Sequence, residues 1–270
     1  MRIILFREIF YPIKFKKYQS VDKYIEVVKN TDTTKFPPLS VGDIKDLKET
    51  DYNDLFSYID DYKIIKEKYS LDNYTKGQSD FEKTLSLMQW LTESTYYFGM
   101  QYKLISDNTL DILEYAYKKT FKNAINCRYK AIAFADILLA CGIKAYPVAL
   151  IGNKNYKGFG CHLVVHAYLS DKDKWVILDP SFNTYFTDFD NNVLNVFELR
   201  KLFLDGEEPV IHGYNFNGTQ ECIEIYKEVF IKSCLTNITT WHDNSVNNRN
   251  GKDLNKRKSF DYKLPELNSI

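Results

Sequence analysis

From Cys127 to Cys141 the chain is apolar at almost every position beyond the first turn, with Ala131 to Ala135 and Ile137 to Ala140 interrupted only by Asp136. A helix without a polar face is buried on most of its sides, so the rest of the chain must be built around it. Asn126 is placed to cap its start and Gly142 to stop it in a left-handed turn. The run falls short of the roughly 18 apolar residues that a membrane span requires.

The segments before this helix read as more helices. Val21, Tyr24, Ile25 and Val28 share one face after Ser20, and Leu55, Phe56, Ile59 and Tyr62 share another between Asn53 and Tyr69. Ser79-Asp80-Phe81-Glu82 has the pattern of a capping box, opening a third helix with Phe81, Leu85, Met88 and Leu91 as its apolar stripe. A fourth is expected from Leu110 to Lys119. Beyond Gly142 the pattern changes to short β-type runs at Ala145 to Ile151, Cys161 to Leu169 and Trp175 to Leu178. Asn195-Val196-Phe197-Glu198 then opens a short helix ending near Gly206, and a last helix is expected from Gln220 to Cys234. Helices first and meandering strands afterwards indicate an α+β fold rather than alternating α/β. The expected division is a helical region over 1–78, a core over 79–240 and a polar basic tail over 241–270.

Charge disfavours several functions. The 270 residues carry 36 basic and 36 acidic side chains, and only six of the basic ones are arginine. A balanced, Arg-poor chain lacks the field and the bidentate groups that nucleic acid or anionic membrane recognition uses. No leader or span is read in the sequence, so the expected location is the cytoplasm. Five cysteines without a CxxC pair suggest free thiols and neither a disulfide framework nor a zinc knuckle.

Of these thiols Cys127 stands apart. At the first turn of a helix its sulfur would lie among unpaired N–H groups at the positive end of the dipole, which favours a thiolate. The bland alternative, a small buried hydrophobe, is accepted for Cys141 and Cys234.

Two of the four histidines, His162 and His166, fall on the run Cys161-His162-Leu163-Val164-Val165-His166-Ala167-Tyr168, on one face of a strand. A polar turn at Ser170 to Lys174 and the run Trp175-Val176-Ile177-Leu178-Asp179-Pro180 complete a hairpin. A two-residue loop at Asp171-Lys172 pairs Ser170 with Asp173 and sets Asp179 opposite Val164, diagonal to both histidines. A three-residue loop would turn Asp179 to the other face. A carboxylate beside an imidazole fixes its tautomer and stabilises its cation, so an imidazole–carboxylate pair with either histidine follows from the first register. A strand histidine is more often a satisfied polar residue than a base, and Asp-Pro is a common exit from a strand. A shared metal ion is disfavoured, because strand residues four apart lie roughly 13 Å from one another.

The segments Asn126-Cys127-Arg128-Tyr129-Lys130-Ala131, Cys141-Gly142-Ile143-Lys144-Ala145, Cys161-His162-Leu163-Val164 and Lys174-Trp175-Val176-Ile177-Leu178-Asp179-Pro180, in this order, resemble the transglutaminase-like superfamily of papain-type thiol enzymes. Ser181-Phe182-Asn183-Thr184-Tyr185 and Phe197-Glu198-Leu199-Arg200 are similar to a bacterial branch of it. The resemblance runs from about Ser79 to Gly206. It implies a papain/transglutaminase-like core, a buried helix packed on an antiparallel sheet, with Cys127 as nucleophile, His162 as base and Asp179 as orienter. Trp90, Asn126 and His166 are the candidate oxyanion or pocket residues. Many relatives carry Arg where Tyr146 stands here.

The implied chemistry is acyl transfer through a thioester, without cofactor or metal, on amide bonds of a peptide or protein substrate. Water as acceptor makes a peptidase or amidase; an amine makes a transglutaminase. Hydrolysis is the favoured reading, since amine transfer needs an acceptor site that excludes water and no motif identifies one. The reading from a different class is a non-catalytic module that keeps the fold to bind peptide or protein.

Overall fold

The computed structural model describes residues 20–36, 38–39, 60–101, 105–153, 160–241 and 259–261. Expectations for Leu55, Phe56, Ile59 and most of the basic tail lie outside those residues.

The buried helix forms as its sequence requires. It is α5 (Cys127–Ala140), following α1 (Val21–Lys29), α2 (Asp60–Lys68), α3 (Asp80–Ser94) and α4 (Thr109–Ala116). Every residue of α5 except Arg128 is buried. The Asn126 side chain accepts the backbone N–H of Tyr129 at 3.3 Å, satisfying one of the donors that a helix start leaves free. At the other end Gly142 takes φ +82°, and the N–H groups of Gly142 and Ile143 reach back to the carbonyls of Leu139 and Leu138. That is the six-to-one closure glycine permits by lacking a Cβ.

Asp136, the one carboxylate inside this apolar run, has buried partners that explain it. It accepts the Thr109 hydroxyl at 2.7 Å and the Tyr62 phenol at 3.4 Å, tying α4 and α2 to α5. Burial of a charge is tolerated when its oxygens are hydrogen-bonded in this way.

The strands β1 (Ala145–Ile151), β2 (Cys161–Leu169), β3 (Lys174–Asp179), β4 (Thr184–Thr187), β5 (Val210–His212), β6 (Asn237–Trp241) and β7 (Ser259–Asp261) form one sheet in the order β5-β4-β3-β2-β1-β6-β7. Every neighbouring pair is antiparallel. The sheet packs through β1 and β2 against α5, and α2, α3 and α4 lie against α5 as well. The architecture is therefore the expected α+β one, a buried helix against an antiparallel sheet.

Several local expectations shift. The hairpin connection is four residues, Ser170 to Asp173, with Asp173 at φ +48°, rather than two. The register nevertheless has Tyr168 opposite Trp175 and Val165 opposite Leu178, which continues to Asp179 opposite Val164. An even change in loop length about the same centre preserves the parity of the pleat, so Asp179 stays on the histidine face.

On α3 the capping box at Ser79 and Glu82 is present, but the buried stripe is Thr84, Leu87, Met88 and Leu91. Phe81 and Leu85 are only partly buried, with Phe81 meeting Tyr185 of β4 edge-on. α4 begins at Thr109, with Asn108 as its cap, and ends at Ala116. The helix α6 (Val196–Leu204) has its capping box at Asn195 and Glu198.

The last helical segment is broken into an α turn Ile223–Ile225, a π turn Tyr226–Ile231 and a 3-10 turn Lys232–Cys234. One continuous core includes Tyr24 and Val28 of α1, Tyr62 and Ile65 of α2 and the sheet. Residues from both sides of position 78 thus share that core.

Candidate active site

The cap that starts α5 also positions a thiol. Cys127 is the first residue of the helix and is 3% exposed. Asn126 is engaged on both sides, its side chain capping the helix and its own N–H donating to Gln101 Oε1 at 3.0 Å. Its observed work is to hold the turn that carries Cys127.

His162 on β2 and Asp179 at the end of β3 are both fully buried, with His162 Nε2 2.6 Å from Asp179 Oδ2. The carboxylate accepts the Nε2–H proton, which leaves Nδ1 as the ring's other nitrogen. Nδ1 is buried without a hydrogen-bond partner, while the Cys127 side chain is close enough to act on the ring. Burial, the largest influence, would strip the proton from this imidazole. The Asp179 charge and hydrogen bond, helped by the Cys127 sulfur, outweigh it and raise the ring from 6.5 to about 10.

Asp179 is held at both oxygens. Oδ1 accepts the N–H of Ser181 at 2.8 Å, and Oδ2 accepts the Tyr226 phenol at 3.0 Å besides His162. Two aromatic rings confine the imidazole, Phe230 edge-on at 5.5 Å and Phe182 at 5.8 Å between centroids. Side chains from α5, β2 and β3 thus converge as a thiol, an imidazole and a carboxylate, a set that can move a proton from sulfur to nitrogen and back.

The second histidine takes a different part. His166 Nε2 accepts the N–H of Val196 at 3.4 Å, the first residue of α6, and Nδ1 lies 3.0 Å from the Tyr146 phenol. Nε2 as acceptor places the proton on Nδ1, so Tyr146 accepts it. Trp175 stacks on the ring at 5.7 Å. Burial lowers its titration to about 3, which keeps it neutral. This is a satisfied core histidine that caps a helix. Tyr146 is its partner.

Trp90 is also committed elsewhere: its ring packs against Tyr69 at 5.7 Å, Tyr74 at 6.0 Å and Tyr117 at 6.1 Å, beside α2 and α4. The contacts described for His166 and for the Trp90 ring are made to residues other than Cys127, His162 and Asp179.

Three further residues bear on the site, and two of them, Gln101 and Tyr226, are not among those the sequence singles out. Gln101 holds the N–H before Cys127, Tyr226 holds Asp179, and Lys130 lies fully buried one turn along α5 with Nζ donating to the Thr95 carbonyl at 3.2 Å. Burial lowers the Lys130 ammonium to about 7 against the opposing pull of the Asp179 charge. Lys130 carries a sequence signal, as a cation within an apolar helix, but Gln101 and Tyr226 carry none. Among the described residues no group of three or more His, Cys, Asp and Glu side chains is arranged to hold a metal ion, and no helix is long and apolar enough to cross a membrane.

The comparisons with known proteins fall on the same segment. Residues 69–180 match the family model described as "Transglutaminase-like superfamily". A solved structure described as "a Putative Cysteine Protease from Cytophaga hutchinsonii" is 16% identical over 53% of this chain and 46% of that one, with a TM-score of 0.35. The chain thus spans under half the length of that protein. No curated protein matches the sequence.

Proposed function

Residues 69–180 match the model of the transglutaminase-like superfamily, and from that match and the geometry of the site we propose that the chain is a thiol-dependent acyl-transfer enzyme that hydrolyses amide bonds of peptide or protein substrates. The observation that carries the reading is the imidazole of His162, tied through Nε2 to Asp179 and leaving its buried Nδ1 for Cys127.

In the proposed reaction Cys127 Sγ attacks the amide carbonyl carbon while its proton resides on His162 Nδ1. Asp179 stabilises the imidazolium so formed. N–H groups at the start of α5 would bind the developing oxyanion. The tetrahedral intermediate collapses as His162 returns the proton to the leaving nitrogen, and the amine departs. Water, deprotonated by the same imidazole, then cleaves the Cys127 thioester and restores the thiol. An amine in place of water would give transamidation.

The test is site-resolved iodoacetamide alkylation as a function of pH, read by mass spectrometry. Fast labelling of Cys127 below pH 7 that His162→Ala abolishes supports the reading. Labelling of Cys127 indifferent to His162 removes it, and a peptide- or protein-binding module takes its place. Cys127→Ala should abolish turnover of any peptide amide while leaving the fold intact. Ammonia leaves in either case, so the acyl product decides: a primary amine joined to a glutamine peptide marks transfer, and conversion of that glutamine to glutamate marks hydrolysis.

A further inference from the structure

The carboxylate in this site has a donor that comes from well beyond the matched segment, which ends at residue 180. Tyr226 opens the π turn of the C-terminal segment, and its phenol donates to Asp179 Oδ2 at 3.0 Å, the oxygen that also accepts His162. The same phenol oxygen is hydrogen-bonded to the hydroxyl of Thr184, the β4 residue directly opposite Asp179. With the tyrosine proton given to Asp179, Thr184 must be the donor to Tyr226. A directed chain results, from Thr184 to Tyr226 to Asp179, with His162 donating from the other side. All four side chains are fully buried.

We propose that Tyr226 is a positioning residue for the reaction, holding the Asp179 carboxylate aligned on His162. The inference rests on the acyl-transfer reading of the site. The ring is fixed for the task by Phe182 at 4.5 Å and Tyr214 at 5.3 Å. Burial first, and then the Asp179 charge, push the phenol well above its ordinary range, so it stays a donor across the working pH. π turns recur where a helix must aim a side chain at a functional centre. Hydrogen bonds in a buried chain polarise one another, so the donor acts on the carboxylate more strongly than it would in water.

A buried carboxylate with fewer donors takes up a proton more readily, and once protonated it no longer supports the imidazolium. Tyr226→Phe keeps the ring and removes the donor. In the full chain it should move the acid limb of Cys127 alkylation upward by about one pH unit. Thr184→Val, which removes only the donor behind Tyr226, should move it the same way by less. A Tyr226→Phe profile that superimposes on the wild type overturns the proposal.

If Tyr226→Phe does not fold by circular dichroism, 3-fluorotyrosine introduced at position 226 by suppressor tRNA decides instead. It keeps the shape and strengthens the donor, so the limb should move to lower pH; an unmoved limb again overturns the proposal. A wild-type Cys127 whose labelling ignores His162→Ala overturns the acyl-transfer reading, and with it the role of Tyr226. Normal His162 dependence with unmoved Tyr226 variants overturns the positioning role alone.

Discussion

Replacing Lys130 by methionine probes the electrostatics directly behind the site. The lysine is fully buried on α5, and its ammonium donates to the Thr95 carbonyl at 3.2 Å. Burial brings its titration in the folded chain down to about 7, with Asp179 opposing and Lys119 assisting. In the unfolded chain a lysine keeps its proton to about pH 10.4. Between those values the unfolded chain binds a proton on Lys130 that the folded chain does not, so this residue makes stability rise with pH. The slope is up to about 1.4 kcal/mol per pH unit. Below pH 7 both states are protonated and the deficit is constant.

Methionine has the same reach and no proton to bind. Its loss of the Thr95 hydrogen bond costs about 1–3 kcal/mol at every pH and so cancels from a comparison between two pH values. The stability change caused by Lys130→Met should therefore be more favourable at pH 7 than at pH 9 by about 2 kcal/mol. Urea unfolding of both proteins at the two pH values, under reducing conditions, measures it. An identical change at pH 7 and pH 9 would refute the reasoning, because it would mean that the folded chain keeps the ammonium charged throughout.

His166→Ala removes the acceptor for the Val196 N–H and the donor to Tyr146, and should lower stability by about 1–3 kcal/mol in urea while leaving the Cys127 alkylation profile unchanged. Phe182 is fully buried among Tyr97, Phe216, Tyr226 and Phe230, so Phe182→Ala should cost about 3–5 kcal/mol in the same assay. Burial pushes the Cys141 thiol up to about 11, so at pH 7 it should alkylate more slowly than a free cysteine, and Cys141→Ala should leave the labelling of Cys127 as it was.

The parts of this fold legible in the sequence are those encoded by neighbours. α5 announces itself through its own apolar residues, the Asn126 cap and the Gly142 stop, all within one stretch of chain. The β2–β3 register comes from a short connection whose centre is set by its polar residues, and it survives a loop two residues longer than expected. β6 is not legible, because Asn237 to Trp241 offers no alternation of its own and its place is fixed by pairing with a distant β1. The buried stripe of α3 lies part of a turn away from the expected one, because partial burial of Phe81 against Tyr185 depends on β4, far along the chain.

The same distinction separates the two histidines. Both lie on one face of β2, and Asp179 continues the register diagonal to each, so local geometry treats them alike. What divides them is which helix begins beside each ring. The start of α5 supplies a thiol next to His162, while the start of α6 supplies an N–H to His166 Nε2 and occupies it as an acceptor. An imidazole committed to a backbone N–H and kept neutral by burial cannot also shuttle a proton, whereas one backed by a carboxylate can hold it. The different surroundings of the two rings along β2 are therefore decided by two helix N-termini that converge on the sheet only after the chain has folded.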